Sequence, residues 1–199
     1  MRDSIATFLQ IDLQSLFGTF NRNKKLDFEK IHNHFNSRET EFLTGSCIYT
    51  IKSPDFDASR FETKLRVLGY DIKVKNLPKP VKSPLRGNYY IPNPINAVSH
   101  VMPITIDCVY RMNRFDKWII ITNNNANFYD LCVFLKEQGK KIELWSFNYN
   151  YDSILESFAE RHFITEDFCL QRSNVNVFGA NSGPDFEDSY YDKLMNDPN

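Results

Sequence analysis

Trp118-Ile119-Ile120-Ile121-Thr122 is an unbroken run of aromatic and β-branched side chains, followed directly by Asn123-Asn124-Asn125-Ala126-Asn127. A run this short and this apolar predicts a strand covered on both faces, as in the interior of a parallel sheet. Phe128, Leu131, Cys132 and Leu135 then recur at helical spacing, so a helix is expected over about 127–138, with Gly139 as its stop. Ile142-Glu143-Leu144-Trp145 reads as the next strand. Strand, helix and strand in that order form one parallel crossover unit.

The same alternation extends in both directions. Ile5 to Ile11 is a short apolar run closed by Asp12, with Leu13, Leu16, Phe17 and Phe20 at helical spacing behind it. Phe28, Ile31, His32 and Phe35 share one face of a second helix, and Gly45 to Ile51 reads as a strand. A helix from about Ala58 is stopped by Gly69 and followed by a strand over Tyr70 to Lys75. Further on, helices are expected over Pro103 to Met112 and Ile154 to Arg161, with a last short strand at Phe163-Ile164. The pattern predicts an α/β protein, a three-layer parallel sheet flanked by helices and linked by right-handed crossovers. One domain covers residues 1–170. Within it, five prolines between 76 and 98 exclude a long regular element and leave a loop. Residues 171–199 read as an acidic, flexible tail.

Composition narrows the function. A formal net charge of −1 gives no global attraction to a polyanion, so contact with nucleic acid must come from a local patch. Cys47, Cys108, Cys132 and Cys169 are widely spaced and form no CxxC pair, which fits buried thiols in a reducing compartment. No stretch approaches the roughly 18 apolar residues of a membrane span, and the N-terminal residues lack a signal-peptide pattern. A cytoplasmic protein without a membrane partner is expected.

In a sheet of this kind, ligands bind beyond the carboxyl ends of the strands, where strand order reverses. That singles out Asp12 and the Thr122–Asn127 stretch. Asp12 is a metal ligand or the anchor of a polar cleft, or else the N-cap of the helix behind it, and the two kinds of role are compatible. Asn123, Asn124, Asn125 and Asn127 either read RNA bases and sugar hydroxyls through their amides or form a left-handed turn, with Asn127 capping the next helix. Asp130, three residues on, fits the capping-box position. Residues 72–106 carry Lys73, Lys75, Lys79, Lys82 and Arg86 and no acid, with Tyr89 and Tyr90 close behind. This is a phosphate-binding and base-stacking loop, or an ordinary solvated one. His32, His34, His100 and His162 show no ligand spacing and read as structural, with His100 nearest the expected cleft.

Ile11-Asp12-Leu13-Gln14-Ser15-Leu16-Phe17 resembles the opening motif of the NYN (LabA-like) family of PIN-like nucleases, where a strand ends in Asp and continues Gly-x-Asn-Leu-Phe. Phe61, Leu65, Leu68-Gly69-Tyr70-Asp71-Ile72 is similar to that family's helix-Gly-Tyr-strand turn. Ile119-Ile120-Ile121, then Phe128, Leu131 and Leu135, then Gly139-Lys140-Lys141-Ile142-Glu143-Leu144, resembles its Ser-Gly-Asp-x-Asp-Phe segment, helix and Gly-Lys-x-Val strand. Together these pieces span residues 5–165.

The resemblance implies a PIN-like/NYN fold and the ancestry of a metal-dependent RNA endonuclease, using Mg²⁺ or Mn²⁺ held by about four acids. Asp12 matches the first acid. The second falls at Val101 or Met102, and the loop acids fall at Asn125 and Asn127. Asp107 matches an acid further along the middle helix. The expectation is therefore a domain that binds single-stranded RNA or a protein partner, with weak nuclease activity or none. Ser15, the four asparagines, Lys79, Lys82, Arg86, Tyr89 and Tyr90 are the expected binding residues. Asp12 and Asp107 are remnant catalytic acids, and Asp12 is a weak metal ligand at most. Two alternatives stand beside this: an active endoribonuclease using Asp12, Asp107 and Asp130, and a scaffold that keeps only the fold.

Overall fold

The computed structural model describes residues 4–17, 24–52, 58–76, 81–82, 89–90, 99–147 and 153–171. Six strands form one parallel sheet: β1 (Ile5–Asp12), β3 (Glu41–Lys52), β4 (Asp71–Asn76), β7 (Lys117–Ile121), β8 (Lys141–Ser146) and β9 (Glu160–Phe163). They lie in the order β4-β3-β1-β7-β8-β9, and every adjacent pair is parallel. The sheet therefore grows from β1 first to one side and then to the other, and strand order reverses between β1 and β7. Both strands are buried along nearly their whole length, as expected where helices cover both faces.

On one face, Leu9, Ile11, Ile48, Ile72, Ile119 and Ile121 pack with Leu13 and Leu16 of α1 (Leu13–Phe17). The same layer takes Phe28, Ile31 and Phe35 of α2 (Phe28–Asn36) and Phe61 and Leu65 of α3 (Ser59–Val67). On the other face, Phe8, Cys47, Tyr49, Trp118, Ile120 and Leu144 meet two further helices. These are α4 (Val101–Arg111), through Ile104 and Cys108, and α5 (Tyr129–Glu137), through Leu131, Cys132 and Leu135. The fold is a three-layer α/β sandwich, as the alternation of elements predicts. All four cysteines are buried and free.

Glycine ends α3 and α5 as expected. Gly69 and Gly139 adopt φ of 94° and 72°, the left-handed conformation that closes a helix at little steric cost. Two small additions were not foreseen. β2 (Lys24–Leu26) pairs antiparallel with β10 (Cys169–Gln171). Within the proline-rich stretch, β5 (Val81–Lys82) pairs antiparallel with β6 (Tyr89–Tyr90).

The expected helix over 154–161 is not present. Ser153–Leu155 form a single 3₁₀ turn, and the chain then extends into β9. Of this stretch only Leu155 is fully buried, so no continuous apolar face holds a helix down. The free edge of β8 takes the segment as a sixth strand, and tertiary pairing overrides local propensity. The tail beyond Gln171 lies outside the described residues. No helix among those described is long and apolar enough to cross a membrane.

Candidate functional site

The point of strand reversal brings Asp12 against Thr122. Ile11 pairs with Ile121, so the next residue of each strand stands at the carboxyl edge. The Thr122 hydroxyl donates to Asp12 Oδ2 at 3.2 Å. Among the described residues this is the one hydrogen bond to the Asp12 carboxylate, and it corrects the N-cap expectation. The side chain turns across the sheet rather than back onto α1. Ser15 supports the corner instead, since its hydroxyl lies 2.8 Å from the Asp12 carbonyl and 3.0 Å from Thr122 Oγ1.

The second wall is His100, the residue before α4. Its Nδ1 is 3.6 Å from Asp12 Oδ1, and the two side chains are 2% and 3% exposed. Among the described residues, neither ring nitrogen has a hydrogen-bond partner. The ring tilts against Tyr49, centroids 6.2 Å apart. His100 is thus buried, and it lies nearest the cleft among the four histidines, as its position implied. The available signal was its place, directly ahead of the middle helix in a segment without acids. Val101 and Met102, where the resemblance puts the second acid, bring no ligand atom; Met102 is exposed.

The asparagine loop divides by role. The Asn123 backbone N–H donates to Ser15 Oγ at 3.0 Å, and its amide nitrogen donates to the Ser15 carbonyl at 3.2 Å. Its amide oxygen accepts from the Phe147 N–H at 3.3 Å. Asn123 thus ties three segments together. Asn125 is buried, whereas Asn124 and Asn127 are exposed. The Asn124 N–H donates to Thr122 Oγ1 at 3.0 Å.

The loop is not a left-handed turn, because no described residue other than glycine has positive φ. Asn125–Phe128 form a 3₁₀ turn leading straight into α5. Asn127 lies inside that turn and does not cap α5, whose N-cap position is Phe128 without a side-chain bond. The capping-box role of Asp130 falls with it. The 3₁₀ turn already supplies an i+3 bond, from the Asn127 N–H to the Asn124 carbonyl.

Asp107 sits one layer away on α4. Tyr49 donates its hydroxyl to Asp107 Oδ2 at 2.7 Å, and Arg111 Nε donates to Oδ1 at 2.9 Å. Burial alone would raise its pKa, but those two hydrogen bonds and the Arg111 charge hold it below the usual carboxylate value. The chain continues inward. Gln10 donates to the Tyr49 oxygen at 2.7 Å and accepts from the Trp118 indole N–H at 2.7 Å. Both carboxylate oxygens of Asp107 are thus engaged in positioning contacts.

Lys73 is paired with Asp71 at 2.7 Å, and Lys75 is exposed. The side chains of Lys79, Lys82, Arg86, Tyr89 and Tyr90 lie outside the described residues. Around Asp12, no group of three acid, histidine or cysteine side chains gathers among those described. The group that does is Glu143, Glu160 and His162, with ligand atoms within 4.8 Å of one another. Its core member Glu143 already receives Arg38 at 2.8 Å, Lys117 at 2.7 Å and the Trp145 indole at 3.1 Å.

Fold and site together define a doubly wound α/β protein with a buried polar cluster where strand order reverses. No known family matches the chain, and no curated protein matches it. Among solved structures, a protein of unknown function from Vibrio parahaemolyticus is similar, with a TM-score of 0.65 and 17% identity. The match covers 85% of this chain and 99% of that one. This likeness shows a shared fold and nothing further.

Proposed function

We propose that the chain is a PIN-like domain of the NYN type that binds single-stranded RNA at the carboxyl edge of its sheet without cutting it efficiently. The observation that carries this reading is the donor set at the strand reversal. One carboxylate, Asp12, stands among hydroxyls, amides and an imidazole.

Hydrolysis with Mg²⁺ needs several oxygen ligands, mostly anionic, in near-octahedral arrangement. The residues present do not fit that ion. Asp12 Oδ2 accepts from Thr122, Oδ1 faces an imidazole nitrogen, and Asp107 is held by Tyr49 and Arg111. What remains is suited to binding. Asn124 and Asn127 are exposed next to the Asp12–Thr122 corner, and an amide both donates to and accepts from base edges or 2′-hydroxyls. Phosphate contacts and stacking fall to the basic 76–98 segment with its two tyrosines.

The test is fluorescence anisotropy of mixed-sequence single-stranded RNA at low salt. A cleavage assay with Mg²⁺ or Mn²⁺ runs beside it, with an Asp12→Ala control. Binding with intact RNA is expected. Cleavage that disappears in Asp12→Ala would restore an active endoribonuclease, and absence of binding at low salt would leave a protein partner or a scaffold role.

A further inference from the structure

The register of β8 and β9 sets Glu143 beside Glu160 and Trp145 beside His162. Alternate residues of a strand share a face, so the two glutamates and the histidine stand together on one side of this edge pair. Their ligand atoms lie within 4.8 Å of one another. Like charges side by side on neighbouring strands repel. Arg38 and Lys117 bond to Glu143 at 2.8 Å and 2.7 Å, but among the described residues no lysine or arginine pairs with Glu160. His162 Nε2 is 3.4 Å from Glu160 Oε1 and 3.7 Å from Glu143 Oε2. That nitrogen is buried and, among the described residues, has no hydrogen-bond partner.

We propose that Glu143, Glu160 and His162 bind a zinc ion. An imidazole nitrogen with carboxylate oxygens is a zinc donor set, with bonds of about 2.0–2.2 Å in a tetrahedral shell. Two ligands of such an ion stand about 3.4 Å apart. The spacings from His162 Nε2 lie at or close to that edge, whereas a protonated imidazole would draw a carboxylate oxygen in to about 2.7–2.9 Å. Glu160 is 69% exposed and has room to swing toward the ion.

The surroundings hold two of the ligands in place. The His162 ring stacks on Trp145, with centroids 4.6 Å apart and planes 11° apart. The Trp145 indole N–H donates to Glu143 Oε2 at 3.1 Å. Arg38, Lys117 and Trp145 are three donor groups on a carboxylate that accepts about four, so Glu143 keeps one place for the ion. Outer contacts of this kind orient metal ligands. They also offset part of the Glu143 charge, so micromolar affinity is expected rather than tighter. Glu143 and Glu160 line a cavity of about 440 Å³, which has room for the water that completes a shell of three protein ligands. The site is separate from the Asp12 corner and does not depend on RNA binding.

The full chain, stripped with EDTA and dialysed, is titrated with Zn²⁺ by isothermal calorimetry beside Glu160→Gln and His162→Gln. One ion per chain is expected at micromolar affinity, weakened about 10- to 100-fold in either variant. Because Glu160 is exposed, Glu160→Gln is expected to keep the wild-type melting temperature, and it decides the matter even if His162→Gln fails to fold. Co²⁺ in place of Zn²⁺ supplies a second readout. Bound at His162, it should quench the emission of Trp145, which lies against that ring, and the quenching should weaken in both variants. A wild-type chain that takes up no zinc below millimolar concentration would overturn the proposal, as would zinc binding that Glu160→Gln leaves unchanged, or Co²⁺ binding without quenching.

Discussion

His100 Nδ1 and Asp12 Oδ1 face each other across 3.6 Å, with both side chains almost wholly removed from solvent. The imidazole comes from the start of α4 and the carboxylate from the end of β1. A site for a hard cation would need a second oxygen donor opposite Asp12, and a nitrogen stands there instead.

The first prediction follows from that donor set. Isothermal titration with Mg²⁺ should show binding no tighter than millimolar, because a single carboxylate already bonded to a threonine hydroxyl cannot displace enough of the ion's water. Micromolar affinity that vanishes in Asp12→Ala would contradict the reading.

A second prediction concerns the buried charges at the other end of the sheet. Burial alone would raise the pKa of Glu143, but hydrogen bonds from Arg38, Lys117 and Trp145 and the Arg38 charge draw it down to about 2. A carboxylate depressed in the folded state stabilises at pH values above its unfolded pKa. That contribution is lost as the pH falls from about 4.5 toward 2. A shift of this size corresponds to about 3 kcal/mol. Glu143→Gln should therefore lower unfolding free energy by about 3 kcal/mol near neutral pH, leaving Lys117 and Arg38 short of a partner. Urea titrations at about pH 7 and about pH 3 should show the gap between the two proteins closing at the acid end. A gap that is constant with pH would mean that the carboxylate charge is not what holds this network.

These two sites also show where the sequence was readable. The runs Ile5–Ile11, Trp118–Thr122 and Ile142–Trp145 are apolar enough to declare buried strands, and Gly69 and Gly139 announce the helix ends. Asp12 and the asparagine loop could be placed at one edge because parallel topology puts successive strand ends together. The Glu143 network could not be foreseen. Its partners lie 105 and 26 residues away, and a lysine or glutamate in a strand carries no local sign that another strand will neutralise it. His100 could be placed nearest the cleft from its position ahead of the middle helix, but its contact with Asp12, 88 positions away in the sequence, carries no local sign. The expected helix over 154–161 failed because an unpaired edge of β8 was available to it, which is a property of the assembled sheet.

The two positive-φ glycines make a paired prediction about stability. A Cβ at Gly69 would lie 3.2 Å from His32 Nε2, whereas one at Gly139 would meet nothing within 4 Å. Gly139→Ala should thus cost only the left-handed backbone penalty, about 1–2 kcal/mol. Gly69→Ala should cost more, because the His32 ring, set edge-on to Tyr70 at 5.4 Å, must also shift. Thermal melts of the two variants side by side rank them. Equal losses would show that His32 moves freely and that the backbone term stands alone.

The last prediction tests RNA binding through its salt dependence. Each phosphate contact releases condensed counterions, so affinity for a single strand should fall by roughly 0.7 log unit per contact per log unit of salt. Lys73 is already paired with Asp71, which leaves Lys75, Lys79, Lys82 and Arg86 as the cations of the acid-free segment. Prolines fix the direction of that chain at several points, so all four cannot follow one backbone, and about two or three contacts are expected. Replacing Lys79, Lys82 and Arg86 together by glutamine should flatten the slope and weaken all sequences alike, because phosphate contacts carry no base information. Asn124→Ala and Asn127→Ala should behave differently. They remove amides that can read bases or 2′-hydroxyls, so they should change preference among RNA sequences, or between RNA and DNA, while leaving the salt slope intact. Tyr89→Ala or Tyr90→Ala should cost about 1–3 kcal/mol if its ring stacks on a base. A slope near zero in the wild-type protein, or one that the triple glutamine variant leaves unchanged, would remove the basic segment from the interface.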